Sequence, residues 1–223
     1  MILIHIGAND MNGGQGLYKK NDKPSNHDFI KTDYLNKYDK GYFIECIPST
    51  FKILQKNLKY INKKFSKNYI AINELVDIET DKIKEFNIIS EKEGIVSNAA
   101  SSIFKPNYIF KKNKNLYLKE ILKIKSITFN DLIKKYNINI KKNFNLVLDT
   151  QGNELRVLKG MGEYLKNVNI LETEFTNDEI IYYDGGCKFS ELDKFLTDNN
   201  FILMYKQKKK HGNAIYHNKN MKL

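Results

Sequence analysis

Short apolar runs alternate along the chain with segments in which apolar residues recur at the spacing of helical turns. Such runs are typical of strands buried in a sheet, although a short buried helix gives a similar pattern. The alternation predicts an α/β fold with a mostly parallel, layered sheet, and the last two runs, separated only by a loop, predict an antiparallel edge hairpin. The strand-like runs are 2–6, 42–44, 69–72, 146–148, 168–171, 201–205 and 214–216.

Start and stop residues support several of the predicted helices. Pro48 suits the first position of a helix, and the Thr128 side chain can cap the helix that follows it. Asn153 and Gly160 bracket a short helix, as a cap and as a terminating glycine. The predicted helices are 29–38, 48–61, 128–136, 154–159 and 190–196.

Two segments are less well defined. Residues 11–24 are polar, contain Gly13, Gly14 and Gly16 and lead into a segment, 25–28, that resembles a capping box. Further on, residues 76–88 alternate weakly, as in a hairpin, and the lysine-rich stretch 103–125 allows no assignment.

Small or polar residues directly follow several strand-like runs. In open α/β sheets ligands bind beyond the carboxyl ends of the strands, so these residues are candidate functional groups. A carboxylate at the second strand end can accept two hydrogen bonds from a ribose diol, whereas an acid at any strand end can also be a helix cap or an exposed edge residue. The residues concerned are Gly7, Ala8, Asn9, Glu45, Asn73, Glu74, Asp149, Glu172 and Glu174.

The net charge of +11 suggests nucleic acid or an anionic surface as a partner. Arg156 is the only arginine, however, and bidentate recognition of phosphates and bases favours arginine over lysine. Richness in lysine, asparagine and isoleucine, with no tryptophan, is what an AT-rich genome produces without selection for a partner. We therefore interpret the charge as coding bias, and 206–210 as a solvated turn.

Length and apolar content predict one domain covering residues 1–223. No apolar run is long enough to span a membrane, and the first run lacks the basic flank and cleavage site of a signal peptide. The two cysteines, Cys46 and Cys187, lie far apart, which argues against a disulfide framework or a zinc site and indicates a reducing compartment. We expect a cytoplasmic protein without a membrane partner.

Segments across most of the chain match one family in order. HIGAN (5–9) resembles its DIGAN turn, and ECIPSTFKILQKNL (45–58) resembles its Glu-x-x-Pro segment and the following helix. SITFNDLIKKY (126–136) resembles its TLDDLL-type helix, and LDTQGNELRVLKG (148–160) resembles its IDVEGxExxVLKG signature, the most specific of the four. The chain thus resembles the FkbM-type methyltransferases, which belong to the Rossmann-like class that depends on S-adenosylmethionine.

The resemblance implies a seven-stranded sheet with helices on both faces and transfer of a methyl group to an oxygen, commonly a hydroxyl of a sugar, glycan or small metabolite. Gly7, Ala8 and Asn9 would then pass the methionine part of the cofactor, and Asp149 would lie at the donor–acceptor junction. Glu45 would hold the ribose within a segment that includes Cys46 and Pro48. Asn73 and Glu74 would lie near the adenine.

The chain departs from the family pattern at three places. His5 replaces an acid, which puts its contact to the amino group of the cofactor in doubt. Gln151 replaces a glutamate and removes a charge near the reaction centre. The loop after Asn9 is longer than is typical of the family.

An alkyl hydroxyl is a weak nucleophile near neutral pH, so methyl transfer to it benefits from a general base or a metal. Asp149 is the leading base candidate, with Glu172, Glu174 and His211 as alternates. His211 has a suitable intrinsic pKa, but a histidine in a loop is also commonly a surface residue. The acids can equally hold magnesium or manganese, and we favour a site without metal.

Two other functions are compatible with the same pattern. The first is a nucleic-acid methyltransferase, which the charge favours and the shortage of arginine disfavours. The second is a binding module that keeps the fold without catalysis, as the changes at His5 and Gln151 suggest. For a sugar acceptor, Tyr182, Tyr183 and the small-residue segment 97–102 are candidate contacts, although that segment can also be a plain linker.

Overall fold

The structure is a computed structural model that describes residues 1–11, 37–91, 99–107, 116–140, 143–180 and 182–222. Its strands, in chain order, are β1 (Ile2–Ile6), β2 (Lys40–Ile44), β3 (Asn68–Ile72), β4 (Leu75–Val76), β5 (Ile83–Glu91), β6 (Lys105–Pro106), β7 (Leu116–Ile127), β8 (Phe144–Leu148), β9 (Val168–Thr176), β10 (Tyr183–Asp184), β11 (Phe201–Lys206) and β12 (His211–Asn218). Its helices are α1 (Pro48–Phe65), α2 (Phe129–Lys135), α3 (Glu154–Lys159) and α4 (Phe189–Asp198), with a 3₁₀ helix at Gly162–Asn167. The predicted loop after Met11, the capping box and most of the predicted helix 29–38 lie outside the described residues.

A seven-stranded sheet in the order β11-β12-β9-β8-β1-β2-β3 forms the centre of the fold. The five strands β3, β2, β1, β8 and β9 run parallel to one another, and β12 runs antiparallel to both β9 and β11. The predicted α/β class, the mostly parallel sheet and the antiparallel edge hairpin are confirmed. The parallel order brings the carboxyl ends of β2, β1, β8 and β9 to one edge of the sheet.

Helices cover both faces of this sheet, as predicted. On one face, α1 buries Leu54, Leu58 and Ile61 against Phe43 and Val147 of the strands. On the other face, α2, α3 and α4 bury a larger apolar cluster, within which Phe129 stacks on Phe144 at 5.8 Å between ring centroids. The helical spacing in the sequence predicts these buried positions because residues three or four apart share one helix face.

The second sheet corrects one prediction. The weak alternation across 76–88 was expected to form a hairpin, but β4 and β5 do not pair with each other. Both pair with β7, in the order β4-β7-β5, and β5 and β7 form a long antiparallel ribbon. Sequence alone gave no assignment for most of β7 because its exposed outer positions obscure the apolar alternation.

No helix among the described residues is both long and apolar enough to cross a membrane. Cys46 and Cys187 are free thiols.

Candidate functional site

The ends of β1 and β8 lie against each other at the carboxyl edge of the sheet. The Asp149 amide donates to the Ile6 carbonyl at 3.0 Å, and the Gly7 and Ala8 amides both donate to the Ile44 carbonyl at 3.0 Å. Gly7 has φ +80°, and a Cβ built on it would lie 1.8 Å from the Asp149 carbonyl oxygen. Only glycine fits this turn, because both the backbone conformation and the close approach exclude a side chain.

Glu45, which directly follows β2, completes a corner between the turn after β1 and the turn before α1. One of its carboxylate oxygens accepts from the Asn9 amide at 3.0 Å, and the other accepts from the Ile47 amide at 2.7 Å. Burial raises the pKa of Glu45 to about 7, against the backbone hydrogen bonds of Ile47, Asn9 and Cys46, which lower it. The carboxylate thus joins the turn after β1 to the turn before α1.

Of the remaining predicted cofactor residues, Asn73 and Glu74 already make side-chain hydrogen bonds within the protein. The Asn73 amide donates to the carbonyls of Glu45 and Cys46 at 2.7 and 3.1 Å. The Glu74 carboxylate accepts from Lys135 at 2.5 Å and from the Tyr136 hydroxyl at 2.6 Å. Ala8 is buried in the α1-side cluster, and Pro48 is the first residue of α1. Their contact with a cofactor stays a prediction.

His5 is buried within β1, beside the ring of Phe43. Burial lowers the pKa of His5 to about 3, so the imidazole is neutral near pH 7. It therefore carries no charge toward a cofactor at that pH.

A network of polar side chains at this edge of the sheet starts at Asp149. The Gln151 side-chain nitrogen donates to Asp149 Oδ1 at 2.6 Å and to Glu174 Oε2 at 2.8 Å. Glu174 Oε1 in turn lies 2.8 Å from His211 Nε2. Three of the four predicted base candidates thus belong to one connected chain of contacts.

The placement of these candidates differs from the prediction in two respects. Glu172 and Glu174 were expected at the end of a strand, but β9 continues to Thr176 and both lie within it. His211 was expected in a loop, but it is the first residue of β12 and pairs with Thr176 of β9. The antiparallel direction of β12 brings its amino end to the carboxyl end of β9.

His211 is fixed on both sides of its ring. Its Nδ1 lies 3.0 Å from the Thr176 hydroxyl, and the Tyr182 ring packs edge-on at 5.0 Å. Glu172, two residues before Glu174 on β9, accepts from the Asn213 amide at 3.3 Å. This hydrogen bond lies outside the Asp149–Gln151–Glu174–His211 network.

Glu154 holds the loop that carries Asp149 and Gln151. Its Oε1 accepts from the Thr150 amide at 2.8 Å, the Thr150 hydroxyl at 3.0 Å and the Gly152 amide at 3.3 Å. Burial, and next the charge of Glu174, raise the pKa of Glu154 to about 7. Asn153 was expected to cap α3, but its side chain donates to the Val76 carbonyl instead.

The predicted sugar contacts are only partly available. Tyr183 is buried and its hydroxyl donates to Gln151 Oε1 at 2.5 Å, so its ring face is not open to a sugar. Ser101 and Ser102 are also buried and bind the backbone of Ile89 and Gln151. Tyr182 is partly exposed beside His211, and the first residues of segment 97–102 lie outside the described part.

No group of three or more histidine, cysteine, aspartate or glutamate side chains in the described ranges could hold a metal ion. The metal-free site stays a prediction.

Sequence reasoning missed the roles of Glu154, Thr176 and Tyr183 in the network. Glu154 stands in the signature segment 148–160, which was a signal for it. Thr176 and Tyr183 had no such signal because their places depend on strand pairing between distant parts of the chain.

The comparisons with known proteins agree with this arrangement. The family model described as the Methyltransferase FkbM domain matches residues 5–203, from β1 into β11. Among curated proteins, none matches the chain. Because the family match covers most of the chain, the chain belongs to the FkbM methyltransferase domain family.

Proposed function

We propose that the chain is an S-adenosylmethionine-dependent O-methyltransferase that acts on a hydroxyl of a sugar, glycan or small metabolite. One observation carries the proposal: the Gly7 turn and the Glu45 corner lie directly beside Asp149 at one edge of the sheet. A cofactor corner and a carboxylate able to serve an acceptor are thus neighbours, as a transfer reaction requires.

The residues of the corner fit the cofactor by their chemistry. Glu45 offers a buried carboxylate beside two turns, and such a group accepts the two hydrogens of a ribose diol. The glycine turn lets the backbone approach a ligand closely. Bound here, S-adenosylmethionine supplies an electrophilic methyl group.

Asp149 is the proposed general base for the acceptor hydroxyl. The Gln151 side chain donates a hydrogen bond to Asp149 Oδ1 and so holds the carboxylate in place. Glu174 is oriented by Gln151 and contacts His211. Glu174 and His211 would therefore line the acceptor side next to Asp149. The partly exposed Tyr182 ring beside His211 offers a surface for a sugar.

The acceptor side disfavours a polyanion, which bears on the alternative of a nucleic-acid substrate. Asp149 and Glu174 both lie on this side, and a phosphate backbone would be repelled by carboxylates.

Two measurements test the proposal in sequence. Calorimetric titration with S-adenosylmethionine should give saturable binding, and no heat at millimolar ligand would favour a binding module without catalysis. Incubation with radiolabelled S-adenosylmethionine and fractionated glycans or metabolites should then label an acceptor through an alkali-stable ether. Label recovered only in nucleic acid would contradict the proposed acceptor class.

A further inference from the structure

We propose that Gln151 is a positioning residue whose side-chain amide holds the carboxylate groups of Asp149 and Glu174 side by side. Its side-chain nitrogen carries two hydrogens and lies 2.6 Å from Asp149 Oδ1 and 2.8 Å from Glu174 Oε2. One amide thus serves two anions with its full donor capacity. Without such a donor, two neighbouring carboxylates repel each other, and one of them tends to take up a proton.

Tyr183 fixes which way the amide points. Its hydroxyl donates to Gln151 Oε1 at 2.5 Å. Burial, and next the charges of Glu174 and Asp149, raise the pKa of Tyr183 well above its ordinary range, so it keeps its proton and remains a donor. A flipped amide would instead place its oxygen against both carboxylates, which electrostatics forbid.

The main chain of Gln151 is held as firmly as its side chain. Gln151 has φ +56° and Gly152 has φ +97°, both in the left-handed region. A residue other than glycine is uncommon in this region and persists where its surroundings fix the conformation. Here the Ser102 hydroxyl donates to the Gln151 carbonyl at 2.7 Å, from a residue that is itself buried.

The network is already rich in acid, so the neutral charge of residue 151 matters. Burial raises the pKa of Glu154 to about 7 next to Glu174, and His211 is the counter-ion available to Glu174 when it is protonated. A glutamate at position 151, as in the family signature, would place another carboxylate within hydrogen-bond distance of two others. The titratable groups that face residue 151 or its two partners are Asp149, Glu154, Glu174, Tyr183 and His211, and behind them Cys187 contacts Glu154 and Tyr182 packs on His211.

Gln151 thus holds two carboxylates that have different roles on the proposed acceptor side. The Asp149 carboxylate is held in place to take up the acceptor proton, and the Glu174 carboxylate is held against His211. Gln151 acts only through these two groups and touches neither the cofactor nor the acceptor in this proposal. The kinetic part of the inference rests on the proposed function, whereas the electrostatic part does not.

Gln151→Glu tests the electrostatic part without any substrate. The new carboxyl group has a raised pKa in the folded protein, so it destabilises the fold above its ordinary pKa, and the cost is relieved as the pH falls. We expect the melting temperature to drop by about 5 °C or more near pH 8 and the gap to wild type to narrow steadily as the pH falls toward about 4. Gln55→Glu, at an exposed position on α1, is the matched control and should show no such gap.

Gln151→Met provides a second test if the glutamate variant does not fold near pH 8. It keeps the length of the side chain and removes both donors, so a smaller gap with the same pH dependence is expected. A gap of equal size at every pH, in either variant, overturns the proposal and leaves Gln151 as a packing residue.

The kinetic readout separates this inference from the proposed function. With an acceptor in hand, Gln151→Glu should move the acidic limb of the kcat/KM profile upward by about one pH unit or more, with the KM for S-adenosylmethionine unchanged. If the acidic limb of the profile does not move, the inference is wrong even when methyl transfer is observed. A complete lack of transfer by wild type refutes the proposed function, and the pH-dependent melting gap still decides the role of Gln151.

Discussion

Asp149 differs from the other acids at this edge because its backbone lies against the Gly7 turn while its carboxylate accepts from Gln151. Asp149→Asn keeps the shape and removes the base. We expect cofactor affinity to change little and turnover to fall by about 10²- to 10⁴-fold. Calorimetry and single-turnover methyl transfer measure the two quantities. Asp198→Asn, an exposed change on α4, is the control, and unchanged turnover in Asp149→Asn would exclude Asp149 as the base.

Glu45 makes cofactor binding depend on pH. Because burial raises its pKa to about 7, the carboxyl group is partly protonated at neutral pH in the unliganded protein. A ribose diol binds the ionised form, so affinity should rise as the pH increases through 7 and fall as the pH drops below it. Glu45→Gln should weaken binding at about pH 8 by tenfold or more and flatten this dependence. Titrations from about pH 6 to pH 8 test this, and the same slope in both proteins would contradict it.

At the scale of elements, the parts that sequence predicts well are those whose pattern is local. The sheet strands, α1 and the hairpin of β11 and β12 follow from apolar spacing and from turn residues near them in the chain. The ribbon of β5 and β7 did not follow, because its pairing joins Ile83 to Lys125 across a segment with little pattern of its own. His211 was misplaced for a related reason, since only its pairing with Thr176 shows that the strand begins there.

A buried ion pair links the second sheet to α3. Asp77 is fully buried and accepts from Arg156 through Nε and Nη2, both at 2.8 Å, and Lys84 lies 3.2 Å away. Burial alone would raise the pKa of Asp77, but the hydrogen bonds from Arg156 and the other donors lower it. The stabilisation is therefore present above the ordinary aspartate pKa and is lost as the pH falls through the lowered value.

Asp77→Asn should destabilise the fold by about 3 kcal/mol near pH 7, because it leaves the Arg156 charge without its partner. The difference from wild type should shrink progressively below about pH 4, because the unfolded chain takes up a proton at Asp77 there, whereas the folded protein does so only at a lower pH. Urea unfolding near pH 7 and near pH 3 measures this. Asp81→Asn removes an exposed pair with Lys125 and is the control, with a change within about 0.5 kcal/mol. Equal stability of Asp77→Asn and wild type near pH 7 would contradict the account.

At the scale of the whole molecule, a basic chain carries carboxylates on the side proposed for the acceptor. The net charge of +11 comes almost entirely from lysines, and Gln151 joins the carboxylates of Asp149 and Glu174 at one edge of the sheet. We expect RNA or DNA to bind weakly at low salt and to be released at physiological salt, because such binding reflects phosphate neutralisation alone. Filter binding over a salt series tests this, and a sequence-selective complex that persists at physiological salt would revive the nucleic-acid alternative.

The insertion of β12 between β9 and β11 has a consequence for how the protein is made. A ribosome delivers Gly7, Glu45 and Asn73 early, but His211 emerges only after β11, and until then the outer edge of β9 lacks its neighbour. A nascent chain can thus complete the corner proposed for the nucleoside well before it completes the side proposed for the acceptor. Ligand capture during synthesis would then precede competence for the reaction.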